Sequence, residues 1–263
     1  MIRKKIWKLI ALFAAISLIA VLCVFANSLV GNPLSKYLAI RSARNYLEQT
    51  YGNSDCVIDR TVYNFKDGNY HIFVISETSK DTHFSIIVDM LGNFVIDTYD
   101  SVVNKENTAR RLENEYRELT DTVFESAAFP YESDIAFGTL MIYPQIYIDD
   151  PKITDIPFYA LSQDTLEIDK VYDIRELGAA SGKLVIYVDE TVITEQRAAE
   201  IVLDIRKTMD DVGIPFRAMD FHLQTPLPTE GPRNGARIDL YDFLYEDIHA
   251  DGLTEQILKQ TES

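Results

Sequence analysis

Between residues 57 and 99 four runs of β-forming residues follow one another so closely that hairpins are the natural way to join them. The runs cover residues 57–65, 70–76, 83–89 and 94–99. Their separators are Lys66-Asp67-Gly68-Asn69, the polar stretch 77–81 and Met90-Leu91-Gly92-Asn93, all of hairpin length. Strands joined this way run antiparallel, so the segment reads as a four-stranded meander. A meander with one apolar face needs a cover. The preceding residues supply it: Gly31-Asn32-Pro33 reads as a helix breaker, an N-cap and a proline at the first helical position. Leu34, Tyr37, Leu38, Ala43, Tyr46 and Leu47 then recur at helical spacing until Gly52. The expected unit spans residues 32–103, with Leu38, Leu47, Ile72, Val74, Ile86 and Ile96 in one core.

A polar helix follows from about Lys105, with Leu112, Tyr116, Leu119 and Val123 on one stripe and Glu113 and Arg117 four apart. It is expected as a connecting helix over residues 104–128. Beyond Pro130 the pattern restarts as a second α+β unit, residues 129–263. Leu184 to Val188 run apolar without alternation, as a central strand covered on both faces would. Thr194 then caps a helix whose Ala198, Ile201, Val202, Ile205 and Met209 share a face. Strands near 216–224 and 236–243 are joined by a proline-rich loop, and a short helix near 254–259 closes the chain. The expected fold class is α+β throughout.

The first thirty residues carry a different signal. Arg3, Lys4, Lys5 and Lys8 precede an uncharged stretch from Leu9 to Ala26. Eighteen residues of helix span roughly 27 Å, close to the ~30 Å hydrocarbon core of a bilayer. The expectation is an N-terminal transmembrane helix acting as a signal-anchor, with a tail and anchor over 1–27 and membrane contact through residues 7–26. The absence of Lys and Arg between Lys8 and Lys36 places the N-terminus in the cytoplasm and the C-terminal domain outside, as a single-pass cell-membrane protein. The competing reading is a cleaved secretory signal ending before Asn27, but the apolar run exceeds the 7 to 15 residues of a signal core. A lipoprotein anchor at Cys23 is disfavoured by Leu22.

Charge narrows the partners. Setting aside the four basic residues of the tail leaves 21 Lys and Arg against 41 Asp and Glu. Such a field repels phosphate backbones, so nucleic acid is not expected and partners are neutral or cationic; the bland alternative is that the charge only keeps the domain dispersed. Cys23 and Cys56 are the sole cysteines, so core packing rather than disulfides must hold the fold. Cys56 reads as a half-buried residue at a strand start.

Chemistry is sparse. His71, His83, His222 and His249 lack Cys or carboxylate neighbours at metal-ligand spacing, and no phosphate loop or nucleophile elbow occurs. No cofactor, metal or catalytic residue is assigned. The acidic clusters at Asp149-Asp150, Asp210-Asp211 and 247–251 read as solvated surface. Asp220 and His222, two apart on a strand, are the best acid/base pair, but Met219, Phe221 and Leu223 alternate with them as on any strand with one wet face. The fifteen Tyr and thirteen Phe read as core and strand composition. One loop stands out, residues 225–234, where three prolines and a glycine keep the chain out of the flanking strands. Its Arg233 and the nearby Arg237 are the candidate binding residues, set against the plainer reading of a stiffened hairpin connection.

Basic tail and apolar stretch, Gly31-Asn32-Pro33-Leu34, the helix end from Tyr46 to Tyr51, Tyr63 to Tyr70 and Asp97-Thr98-Tyr99 together resemble the YfjL-like family, most clearly over residues 28–120. That resemblance implies a membrane-anchored protein of Gram-positive bacteria and brings no catalytic residue. The expected function is a non-enzymatic binding or interaction module for an extracytoplasmic protein or peptide. An exported hydrolase without a recognisable motif is the alternative.

Overall fold

In the computed structural model, residues 2–52, 54–127, 129–226 and 235–261 are described; within the first helix the side chains described are those of residues 7, 8, 10, 12–19, 21, 22, 25, 29 and 30. The chain divides into two compact units, 1–104 and 105–263.

The first unit begins with α1 (Ile2–Val30), then α2 (Pro33–Tyr51), β1 (Cys56–Asn64), β2 (Asn69–Ser76), β3 (His83–Val88), β4 (Phe94–Asp97) and the one-turn α3 (Asp100–Val103). Among the described residues no helix is long and apolar enough to cross a membrane. This corrects the transmembrane helix, the signal-anchor, the membrane contact through residues 7–26 and the single-pass placement with a cytoplasmic N-terminus. A crossing needs about 20 consecutive apolar residues.

α2 starts where its sequence says it should. Asn32 is extended at the N-cap and its Oδ1 accepts from the Ser35 N–H at 2.8 Å. The Tyr70 hydroxyl clamps the same point, accepting from Asn32 N at 3.0 Å and donating to Asn32 O at 2.9 Å. Gly31 is required there: its φ is +70°, and a Cβ would lie 2.5 Å from that hydroxyl. The sheet is antiparallel in the order β1-β2-β3-β4. Its core joins Ala39, Ala43 and Leu47 of α2 to Ile72, Val74, Phe84, Ile86 and Val88. The buried stripe of α2 is therefore Ser35, Ala39, Ala43 and Leu47, one turn apart, while Leu34 and Tyr37 face solvent. Small residues win the buried stripe because they let the helix axis approach the sheet. Ile96, expected inside, pairs with Ile87 on the open face and is 54 % exposed.

The second unit contains α4 (Glu106–Phe124), β5 (Ile135–Leu140), β6 (Ile142–Tyr143), α5 (Gln145–Ile148), β7 (Leu161–Ser162), α6 (Ile174–Ser181), β8 (Gly182–Asp189), α7 (Glu195–Asp211), β9 (Ala218–Gln224), β10 (Arg237–Leu244) and α8 (Leu253–Thr261). The main sheet has the order β10-β9-β8-β5. β8 and β9 are parallel, joined across α7, and the outer pairs are antiparallel. One sheet face is core: Leu184, Ile186, Val188, Met219, Phe221 and Leu223 pack with Ala198, Ile201, Val202, Ile205 and Met209 of α7. The helix expected as a connector is α4, and its Leu112, Tyr116 and Val123 are buried in this same core. Tyr116 lies against three glycines, because a Cβ at Gly138, Gly178 or Gly182 would come within 2.8 Å, 2.5 Å or 2.6 Å of its side chain.

Candidate functional site

The other face of the second sheet gathers ionisable and aromatic side chains. Alternation along three neighbouring strands puts Lys183, Val185, Tyr187 and Asp189 of β8, Asp220, His222 and Gln224 of β9, and Arg237 and Asp239 of β10 on that side. Register then sets the rows: Tyr187 lies beside His222, and His222 beside Asp239.

His222 is at the centre. Its Nδ1 lies 2.6 Å from Asp239 Oδ1 and 3.1 Å from Arg237 Nη2, and Arg237 Nε also bonds Asp239. The ring packs on Tyr187, with centroids 4.1 Å apart, and meets Tyr241 edge-on at 5.3 Å. Arg237 reaches over the Tyr187 ring at 5.6 Å. Burial lowers the proton affinity of the Arg237 guanidinium, but its bonds to Asp239 outweigh that and hold it above its ordinary value. These groups bury His222 to 2 % exposure and Gln224 to 8 %, so the face that alternation marks as wet is closed over at its centre. Gln224 Nε2 donates to Asp189 Oδ1 at 2.9 Å.

A second cluster sits at the other end of the same face. Lys183 Nζ is 2.8 Å from both Asp220 Oδ2 and Asp242 Oδ1. Tyr159 donates to Asp242 Oδ1 at 2.6 Å, and the Asp242 N–H donates to Asp220 Oδ1 at 2.8 Å. A break in the β9–β10 register after Leu240, with Asp242 at φ +47°, aims this carboxylate at the lysine. Burial works against the Lys183 charge, but the two carboxylates outweigh it and raise its pKa. Burial, then Asp242, pushes the Tyr159 phenol well up, so it stays a neutral donor.

The pairing read from sequence, Asp220 with His222, is not the pairing that forms. Asp220 serves Lys183, and the carboxylate on the imidazole is Asp239 from the adjacent strand. No spacing rule within one strand could have named Asp239, because the β9–β10 register brings it there. Arg237 begins β10 and joins the cluster, whereas Arg233 and most of its loop lie outside the described residues. Of the remaining histidines, His71 contacts Asp67 at 2.7 Å beside a turn and His249 lies 3.4 Å from Arg206. Among the described residues no group of three His, Cys, Asp or Glu is placed to hold a metal ion.

Chemically, a carboxylate on Nδ1 fixes the orientation of an imidazole, and here the ring it fixes is 2 % exposed. Nucleophilic catalysis would add a hydroxyl or thiol on that ring. Among the described residues no Ser, Thr or Cys side chain bonds to His222; its contacts are Asp239, Arg237, Tyr187 and Tyr241.

Fold and site together define a two-unit α+β protein, each unit built on its own four-stranded sheet, with a charge-paired aromatic face on the second. The YfjL-like N-terminal domain matches residues 6–101, and the YfjL-like C-terminal domain matches residues 115–258. The chain belongs to the YfjL-like family. No curated protein and no solved structure matches it.

Proposed function

We propose that the chain is a non-enzymatic binding or interaction module for a protein or peptide, and that the partner seats on the Tyr187, Tyr241 and Arg237 surface of the second unit. The observation that carries this reading is Tyr241. It is 58 % exposed yet stands edge-on to a buried histidine, beside a guanidinium already held by Asp239. Tyrosine and arginine fixed in place before binding lose little freedom when they meet a partner, and they dominate interface energetics. The charges behind them are paired internally, so the face offers shape and aromatic area. A net charge of −16 favours a neutral or cationic partner.

The alternative, a hydrolase, is supported by the 2.6 Å contact between His222 and Asp239. Capture from cell extract with the chain as bait, repeated with Tyr241→Ala, separates the two. Retention of the captured partner should fall at least about thirtyfold, the size of a hot-spot loss, with an unchanged circular dichroism spectrum. Turnover of ester or peptide substrates that disappears in His222→Ala would overturn the binding reading.

A further inference from the structure

The first unit ends on an open edge, and that edge reads the same in both directions. Among the described residues β1 is the terminal strand of its sheet, paired only with β2. Its residues alternate between half-buried and exposed as far as Ile58, are exposed at both Asp59 and Arg60, and then alternate again in mirror order to Tyr63. The chemistry mirrors about the same point: Asp59 against Arg60, Ile58 against Thr61, Val57 against Val62.

The physical origin of the symmetry is a bulge. The β1–β2 register slips between Ile58 and Arg60, leaving Asp59 as the extra residue. In a regular strand, outward main-chain groups recur at every second residue, so an antiparallel meeting of two copies sets residues of equal parity opposite one another. One extra residue shifts that parity. The register that aligns both the outward main-chain groups and the side-chain faces now sets Val57 against Val62 and Ile58 against Thr61. The same register brings Asp59 opposite Arg60.

We infer that β1 pairs antiparallel with β1 of a second copy of this chain, joining two four-stranded sheets into one of eight, with Asp59 facing Arg60 of the partner subunit at the twofold axis. Neither Asp59 nor Arg60 forms an ion pair among the described residues; Arg60 lies over the Phe73 ring at 4.4 Å. Val57 and Val62, 38 % and 48 % exposed, sit on the face away from α2, where each would be covered by its counterpart. A bulge and a pair of opposite charges blunt an edge toward unrelated strands. A second copy is the strand that complements both, which is why the occupant is this chain rather than an arbitrary peptide. The inference concerns the first unit and does not rest on the binding face of the second.

Sedimentation equilibrium of the full chain tests it. The chain should form a reversible dimer. Asp59→Lys, which places like charges together twice, should raise the dissociation constant roughly tenfold. Adding Arg60→Glu to that variant restores the opposite-charge pairs and should return the constant to within about threefold of the parent. Directly opposed residues lie about 4.5–5.5 Å apart, within disulfide reach. Val57→Cys with Val62→Cys, in a chain whose Cys23 and Cys56 are serine, should therefore oxidise to covalent dimers. A chain that stays monomeric, a constant indifferent to Asp59→Lys, or cysteines that fail to link overturns the inference.

Discussion

Tyr116 shows how one side chain fixes the choice of its neighbours. It is fully buried, its hydroxyl donates to Pro215 O at 2.9 Å, and burial pushes the phenol well above its ordinary pKa. The chain gives way to it with glycines, so Gly178→Ala, whose Cβ would sit 2.5 Å from the ring, should cost about 1–3 kcal/mol in denaturant unfolding. Lys183 shows the electrostatic equivalent. Its removal in Lys183→Met leaves Asp220 and Asp242 facing each other. Because Asp242 is 46 % exposed, the expected loss is about 2 kcal/mol rather than the full cost of a buried pair. The folded pKa of Lys183 is raised, so its contribution is complete below the ordinary lysine value of about 10.4 and is lost as pH climbs beyond it. Thermal melts from about pH 10 upward should therefore fall more steeply for the parent than for Lys183→Met.

At the level of elements, α2 and α7 make an instructive pair. The apolar periodicity of α7 names its buried residues directly, because Ala198, Ile201, Val202, Ile205 and Met209 are both the apolar stripe and the packed one. In α2 side-chain size does not decide burial: Ala39 and Ala43 are completely covered and Leu47 is buried, while Leu34 is 68 % exposed. Hydrophobicity ranks side chains one at a time, whereas the distance between a helix and a sheet is set by the smallest residues that can line the contact. Ala43→Leu should thus destabilise the first unit by about 1–3 kcal/mol. Leu47→Ala, at the end of the same stripe, should cost about 2–3 kcal/mol. Urea titration of each variant measures both, and a gain in stability from Ala43→Leu would show that the helix is not held close.

For the whole molecule, the two hydrophobic cores share no residue. Calorimetry should resolve two transitions, with Ile72→Ala lowering one and Phe221→Ala the other; a single transition moved by both would show that the units unfold as one. Much of this architecture was legible in sequence. Short separators dictated an antiparallel meander, Asn32 and Pro33 started α2, and apolar spacing laid out α4 and α7, since turns, caps and periodicity are local properties of the chain. The expected membrane crossing, read from the basic tail and the uncharged stretch after it, did not hold among the described residues. What only tertiary structure decided was which strands of the second unit lie side by side, and in what register. The β9–β10 register handed the His222 imidazole to Asp239 and left Asp220 to Lys183, and the packing of Tyr187 and Tyr241 closed a face that alternation marks as wet. Alternation along a strand assigns a residue to a face, but its partner on that face comes from another strand, at a register set by the fold as a whole.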